Sequence, residues 1–102
     1  MIKLTVLYNP PADPAAFDAY YFGTHVPLAN KLPGLARMEV SKLSGSLDGS
    51  PAPYHLAADL YFASTDALMA ALGSPEGAAV AADVANYAQA GVSMFVGELA
   101  EL

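Results

Sequence analysis

Apolar and polar positions alternate first at the start of the chain, where Ile2, Leu4, Val6 and Tyr8 are interleaved with Lys3, Thr5 and Leu7. A two-residue period of this kind predicts a strand with at least one buried face, and Asn9-Pro10-Pro11 ends it. Asp13 before Pro14 has the form of an N-cap followed by proline at the first helical position, where the missing N–H costs nothing, so a helix is expected through Ala15 to Phe22. Pro27 cannot donate to the carbonyl of Gly23 and disfavours helical geometry at Val26. The spacing therefore predicts a kink or break over residues 23–26, with a short turn resuming to Leu32 before Pro33-Gly34.

Alternation returns over residues 35–43, with Ala36, Met38 and Val40 on one face and Arg37, Glu39 and Ser41 on the other. The Gly-, Ser- and Pro-rich stretch 44–53 predicts a long, loose hairpin loop leading into the apolar run 54–63. Ser64 or Thr65 then caps a helix to Leu72, Gly73 closes it, and Ser74-Pro75-Glu76 restarts a helix to about Tyr87; residues 92–99 supply the last strand. The order β-α-β-β-α-β is that of an α+β, ferredoxin-like domain, a four-stranded antiparallel sheet with its helices on one face. In the run 54–63 neither side is strongly polar, so the uncovered face is expected to be apolar enough to pack against a second copy.

Composition narrows the picture further. The 102 residues suit one domain, 1–102, and 55% of them are hydrophobic against 14% charged. That surplus also favours a homodimer. With four Lys and Arg and a net charge of −6, no basic stripe is available for phosphates, so nucleic acid is excluded as a partner. No signal-peptide pattern or 18-residue apolar run occurs, which predicts a cytoplasmic chain with no membrane partner. The absence of cysteine removes disulfides, thiolate catalysis and sulfur-ligated metals, and two histidines 30 positions apart make a protein-only zinc site improbable. Neither a metal nor any other cofactor is expected.

Candidate chemistry centres on His25, which follows Tyr21 by four positions and Phe17 by eight and so shares their helical face. His25 is either a general acid or base, with Tyr21 donating or orienting a proton, or a side chain that caps a carbonyl freed by Pro27. Asp59 is a carboxylate inside a strand and must be compensated. It faces either the core, beside His25, or a subunit interface, paired with Arg37. Phe17, Tyr61 and Tyr87 are the aromatic candidates for lining a ligand, although Asp83, Asn86 and Tyr87 also suit capping and packing at a helix end. No G-x-S-x-G elbow and no glycine-rich phosphate loop is present.

The stretch from Phe17 to Leu35, with its Tyr-Tyr, Thr-His-Val-Pro-Leu and Leu-Pro-Gly-Leu groups, resembles the EthD-like family, named after ethyl tert-butyl ether degradation. Residues 53–97, with Ser-Pro-Glu-Gly and Asp-Val-Ala-Asn-Tyr before the last strand, follow the same family order. The resemblance implies a dimeric α+β barrel, two subunits packed sheet to sheet, a fold that hosts isomerases, cyclases, cofactor-free monooxygenases and haem-degrading enzymes alike. It also implies that His25 lines a pocket between helices and sheet. Lacking tryptophan, the chain departs from the haem-degrading and quinone-forming relatives. The expected function is that of a small-molecule pocket protein: a cofactor-independent isomerase, dehydratase or cyclase working on an apolar oxygenated metabolite through His25, or a non-catalytic carrier of a hydrophobic intermediate for an oxygenase.

Overall fold

In the computed structural model, which describes Met1–Leu102, four strands form one antiparallel sheet: β1 (Ile2–Tyr8), β2 (Arg37–Lys42), β3 (Leu56–Phe62) and β4 (Val92–Glu98), in the order β2-β3-β1-β4. β3 thus lies between the two strands of the first β-α-β unit, as the ferredoxin-like order requires. The register pairs Ile2 with Phe62 and Tyr8 with Leu56, so the even-numbered residues of β1 and β3 share one face. That face carries Val6, Leu56, Ala58 and Phe62, all buried, and the helices cover it. Removing a side chain such as Leu56 or Phe62 should cost roughly 2–5 kcal/mol, because the cavity left cannot fully collapse.

The helices follow the signals that specify them. Asp13 accepts a hydrogen bond from the Ala16 N–H at 3.1 Å and starts α1 (Pro14–Tyr20), while Ser64 caps α3 (Thr65–Leu72) and Ser74 caps α4 (Pro75–Asp83) in the same way. α4 stops four residues short of the expected Tyr87, and a single 3-10 turn, Val84–Asn86, completes the run. Gly77 brings α4 against the end of α3: a Cβ there would collide with the carbonyl oxygens of Ala71 and Leu72. No helix is long and apolar enough to cross a membrane.

Three expectations are refined or corrected. The irregularity expected at residues 23–26 is present as a widened turn and not as a break: a π turn, Tyr21–His25, carries the chain without interruption into α2 (Val26–Ala29), with the Val26 N–H donating to the Tyr21 carbonyl five residues back. A turn wider by one residue relieves the clash that a proline ring makes with the preceding turn of an α-helix. The uncovered sheet face is not apolar, since Lys3, Thr5, Arg37, Glu39 and Asp59 all stand on it; Phe95 of β4 is the large exposed hydrophobic residue there. The apolar run 54–63 misled because the polar positions of its strand, 59 and 61, sit together on that one face, whereas His55, just before β3, reaches Asp18 and the Phe17 ring of α1. Finally, the loop expected to be loose contains a tight turn, in which the Ser46 N–H donates to the Ser50 carbonyl and Asp48 accepts from both the backbone and the hydroxyl of Ser50.

Candidate functional site

The π turn, the end of α4 and the middle of the sheet meet around His25, which is 4% exposed. Its Nδ1 lies 2.9 Å from Oδ2 of Asp83, a residue 58 positions away and itself buried. Oδ1 of Asp83 accepts from the Tyr20 hydroxyl at 2.5 Å and from the Asn86 amide at 3.1 Å. Burial pushes the Asp83 carboxyl up, but hydrogen bonds from Tyr20, Asn86 and His25, with the His25 charge, outweigh it and hold the carboxyl below its ordinary value. Asp83 is therefore an ionised acceptor, so Nδ1 of His25 is the donor. The proton fixed on Nδ1 leaves Nε2 of the neutral ring as a lone-pair acceptor, and no protein group bonds to it.

The aromatic rings around this pair are stacked by sequence spacing. Phe17 and Tyr21 are 5.7 Å apart at an interplanar angle of 9°, and Tyr21 and His25 are 5.5 Å apart at 28°, so the four-residue spacing survives the π turn. Tyr87 places its ring 4.7 Å from that of His25 and its hydroxyl 2.7 Å from that of Tyr8. Burial raises the pKa of Tyr8, Tyr21 and Tyr87, so all three stay protonated at neutral pH. The Tyr21 hydroxyl is fully buried and has no hydrogen-bond partner. The Tyr8 hydroxyl is near enough to raise its pKa further, but does not complete a sound hydrogen bond with it.

Two depressions compete as a binding site. The larger, about 560 Å³, runs along α1 and the 3-10 turn past Asp13, Phe17, Tyr20 and Tyr87. The smaller, about 100 Å³, lies between helices and sheet, where Val6, Ala29, Met38, Leu60 and Met94 surround His25 and Tyr21. Volume favours the groove, but it is open to water, where a proton-transfer group gains little from its surroundings. The smaller pocket is the candidate site because it alone combines an apolar lining with the free nitrogen of His25.

The sequence candidates divide between the two layers. His25 and Tyr21 come together in the pocket, while Phe17 and Tyr87 stand behind them and line the outer groove. His25 does not cap a carbonyl; its recorded partner is Asp83. Asp59 lies on the uncovered sheet face, away from His25, and its partner is not Arg37: it accepts from the Thr5 hydroxyl at 2.7 Å and pairs with Lys3 at 3.4 Å. Tyr61 shares that face, donating to Glu39 at 2.7 Å beneath the Arg37 guanidinium. Tyr20 is the site residue that sequence reasoning missed, and the sequence offers Asp83 only as a helix-end residue, not as the partner of His25. Asp83 sits in a helix otherwise made largely of alanine, and a carboxylate there, opposite a lone histidine, was the available signal.

A second histidine–carboxylate pair lies at the surface, where Nε2 of His55 is 2.8 Å from Asp18 and Lys42 approaches the same carboxylate at 3.5 Å. The hydrogen bond from His55 holds Asp18 below the usual carboxylate range. No three His, Asp or Glu side chains converge as a metal-binding group would require.

Sheet order, helix placement and the pocket between the two layers define an α+β protein of the ferredoxin-like class. More narrowly, residues 9–91 match the EthD domain, and the chain belongs to the EthD family. It is 48% identical over 94 residues, 92% of its length and 90% of the relative's, to an uncharacterized 11.0 kDa protein in the thcB-thcC intergenic region of Rhodococcus erythropolis. It is 36% identical to an EthD family protein of Bacillus halodurans whose crystal structure superposes with a TM-score of 0.93, over 98% of this chain and 99% of that one. A dimeric protein of unknown function and ferredoxin-like fold from Bacteroides fragilis, 16% identical, shares the fold at a TM-score of 0.69 over 96% and 95% of the two chains.

Proposed function

We propose that this EthD family member is a cofactor-independent enzyme that moves a proton on a small apolar metabolite, with His25 as the base and Asp83 as its positioning carboxylate. The observation that carries the reading is the 2.9 Å contact between Nδ1 and Asp83, which leaves Nε2 unbonded on a ring that lines an apolar pocket. Asp83 keeps the ring in one tautomer and orientation and stabilises the imidazolium that forms when Nε2 takes up a proton. Isomerisation, dehydration or ring closure needs no more than one such group in a dry site. In this reading the chain works as a homodimer, supported by the exposed Phe95 of β4 on the uncovered sheet face and by the dimeric Bacteroides fragilis protein of the same fold.

The test is the exchange of the α-hydrogens of cyclopentanone in D2O, followed by NMR. The protein should accelerate exchange, and His25→Gln should abolish the acceleration. Equal rates in a folded His25→Gln variant would overturn the assignment. A carrier role is the second reading, favoured by the tight apolar lining; it predicts that cyclopentanone binds without exchange.

A further inference from the structure

The Tyr21 hydroxyl is the one fully buried side-chain polar atom that lacks a partner, and Tyr21 lines the pocket that holds His25. A buried hydroxyl left unpaired is costly, and such groups call for an account in terms of what they bind. No Lys, Arg, Asp or Glu lines the same pocket. Its volume of about 100 Å³ is smaller than a cavity of roughly 150 Å³ that accepts benzene, so benzene's six heavy atoms set the upper limit on the molecule it takes.

We infer that Tyr21 is the oxygen anchor of the site, donating its hydroxyl hydrogen to the carbonyl of a small, uncharged, enolisable aldehyde, ketone or lactone, and that the pocket rejects carboxylates. This rests on the reading of His25 as a base. Nε2 removes a hydrogen from the carbon next to the carbonyl, and the C–H electron pair shifts to make the C–C double bond of an enolate. The carbonyl π pair moves onto the oxygen, where the Tyr21 O–H holds it. Return of the proton from Nε2 to the same or a conjugated carbon gives back the starting compound or an isomer, with no other reactant consumed. A carboxylate would enter with no Lys or Arg to meet its charge and with His25, the base of this reading, as a neutral ring, at a desolvation cost that is not offset.

Met38 and Met94 line the pocket, Met94 with about half of its surface exposed (49%), whereas Met69 is exposed on α3 away from it, so methyl-labelled methionine gives pocket reporters and a control. Cyclopentanone, methylcyclopentane and butyrate are titrated against the full chain and against Tyr21→Phe. Cyclopentanone should shift Met38 and Met94 but not Met69, and butyrate should shift neither pocket methyl. Tyr21→Phe should weaken cyclopentanone roughly tenfold while leaving methylcyclopentane unchanged or tighter. Unaltered cyclopentanone affinity in Tyr21→Phe, or butyrate binding as well as the ketone, overturns the anchor. Loss of exchange activity alone, with Tyr21-dependent binding kept, removes only the role of His25 as base. No methyl shift with any of the three overturns both.

Discussion

His25 and Asp83 stand at the two ends of a contact that no local rule creates: Nδ1 and Oδ2 are 2.9 Å apart although the residues belong to separate β-α-β halves. The π turn presents one and the last residue of α4 presents the other. Asp83→Asn preserves the shape but replaces an obligate acceptor with a group that can donate, so the tautomer preference is lost. Exchange of the cyclopentanone α-hydrogens should fall by roughly 10²- to 10⁴-fold, by analogy with the loss of an orienting aspartate beside a catalytic histidine. Retained activity would show that Asp83 serves packing alone.

Acid should reveal the same carboxylate. The folded-state pKa of Asp83 lies below its unfolded value. Its contribution to stability is therefore fully present above the ordinary aspartate value of about 3.9 and is lost as pH falls through the folded value. Urea denaturation of the wild type and Asp83→Asn between neutral pH and pH 3 should show their stabilities converging as pH drops. Parallel curves would contradict the shift. Asp18→Asn is the control for the separate, surface carboxylate held by His55.

Tyr21→Phe should make the protein more stable, not less. The substitution removes a buried, unpaired hydroxyl and leaves the stacked ring in place between Phe17 and His25. The gain is expected to be about 1–3 kcal/mol, the desolvation cost of an unsatisfied group, read as a higher urea midpoint at constant slope. A destabilised variant would mean that the hydroxyl has a partner within the fold.

Gly77→Ala probes the close approach of α4 to α3. The added methyl meets two backbone carbonyls that have no flexible side chain to move aside. The expected cost is about 1–3 kcal/mol, with α4 displaced and Asp83 moved off His25, so stability and exchange activity should fall together. Full stability would show that α4 sits less tightly than described.

The exposed residues of β4 give a test of assembly. Sedimentation at micromolar concentration should show a dimer, and Phe95→Arg, at a residue 58% exposed on the uncovered sheet face, should shift it toward monomer. A wild-type monomer would remove the homodimer from the proposed function.

Much of the fold was legible because its signals are local. Asp13, Ser64 and Ser74 each announce a helix start, and the alternation from Ile2 to Tyr8 sets both period and face. The π turn was not legible in the same way, since Pro27 states only that an ordinary helix cannot pass and does not say whether the chain breaks or widens. The site was half legible. The spacing of Phe17, Tyr21 and His25 gave one wall, but whether Asp59 stands beside His25 depends on which strand face points to the helices, and the meeting of His25 with Asp83 depends on how α4 packs across the sheet; neither is written in local spacing.

The five-residue turn from Tyr21 to His25 also reconciles two things that a regular helix would set against each other. Each residue of an α-helix advances the chain by about 100°, and the π turn holds one residue more than an ordinary turn, so the surplus residue is what lets the chain pass Pro27 and still hold His25 over Tyr21. Removing Gly23, which meets no neighbour within 4 Å at its Cβ position, would draw the segment toward a regular helix and bring the Pro27 ring back against the preceding turn. The proline and the seat of the imidazole are thus tied to one another through a single residue.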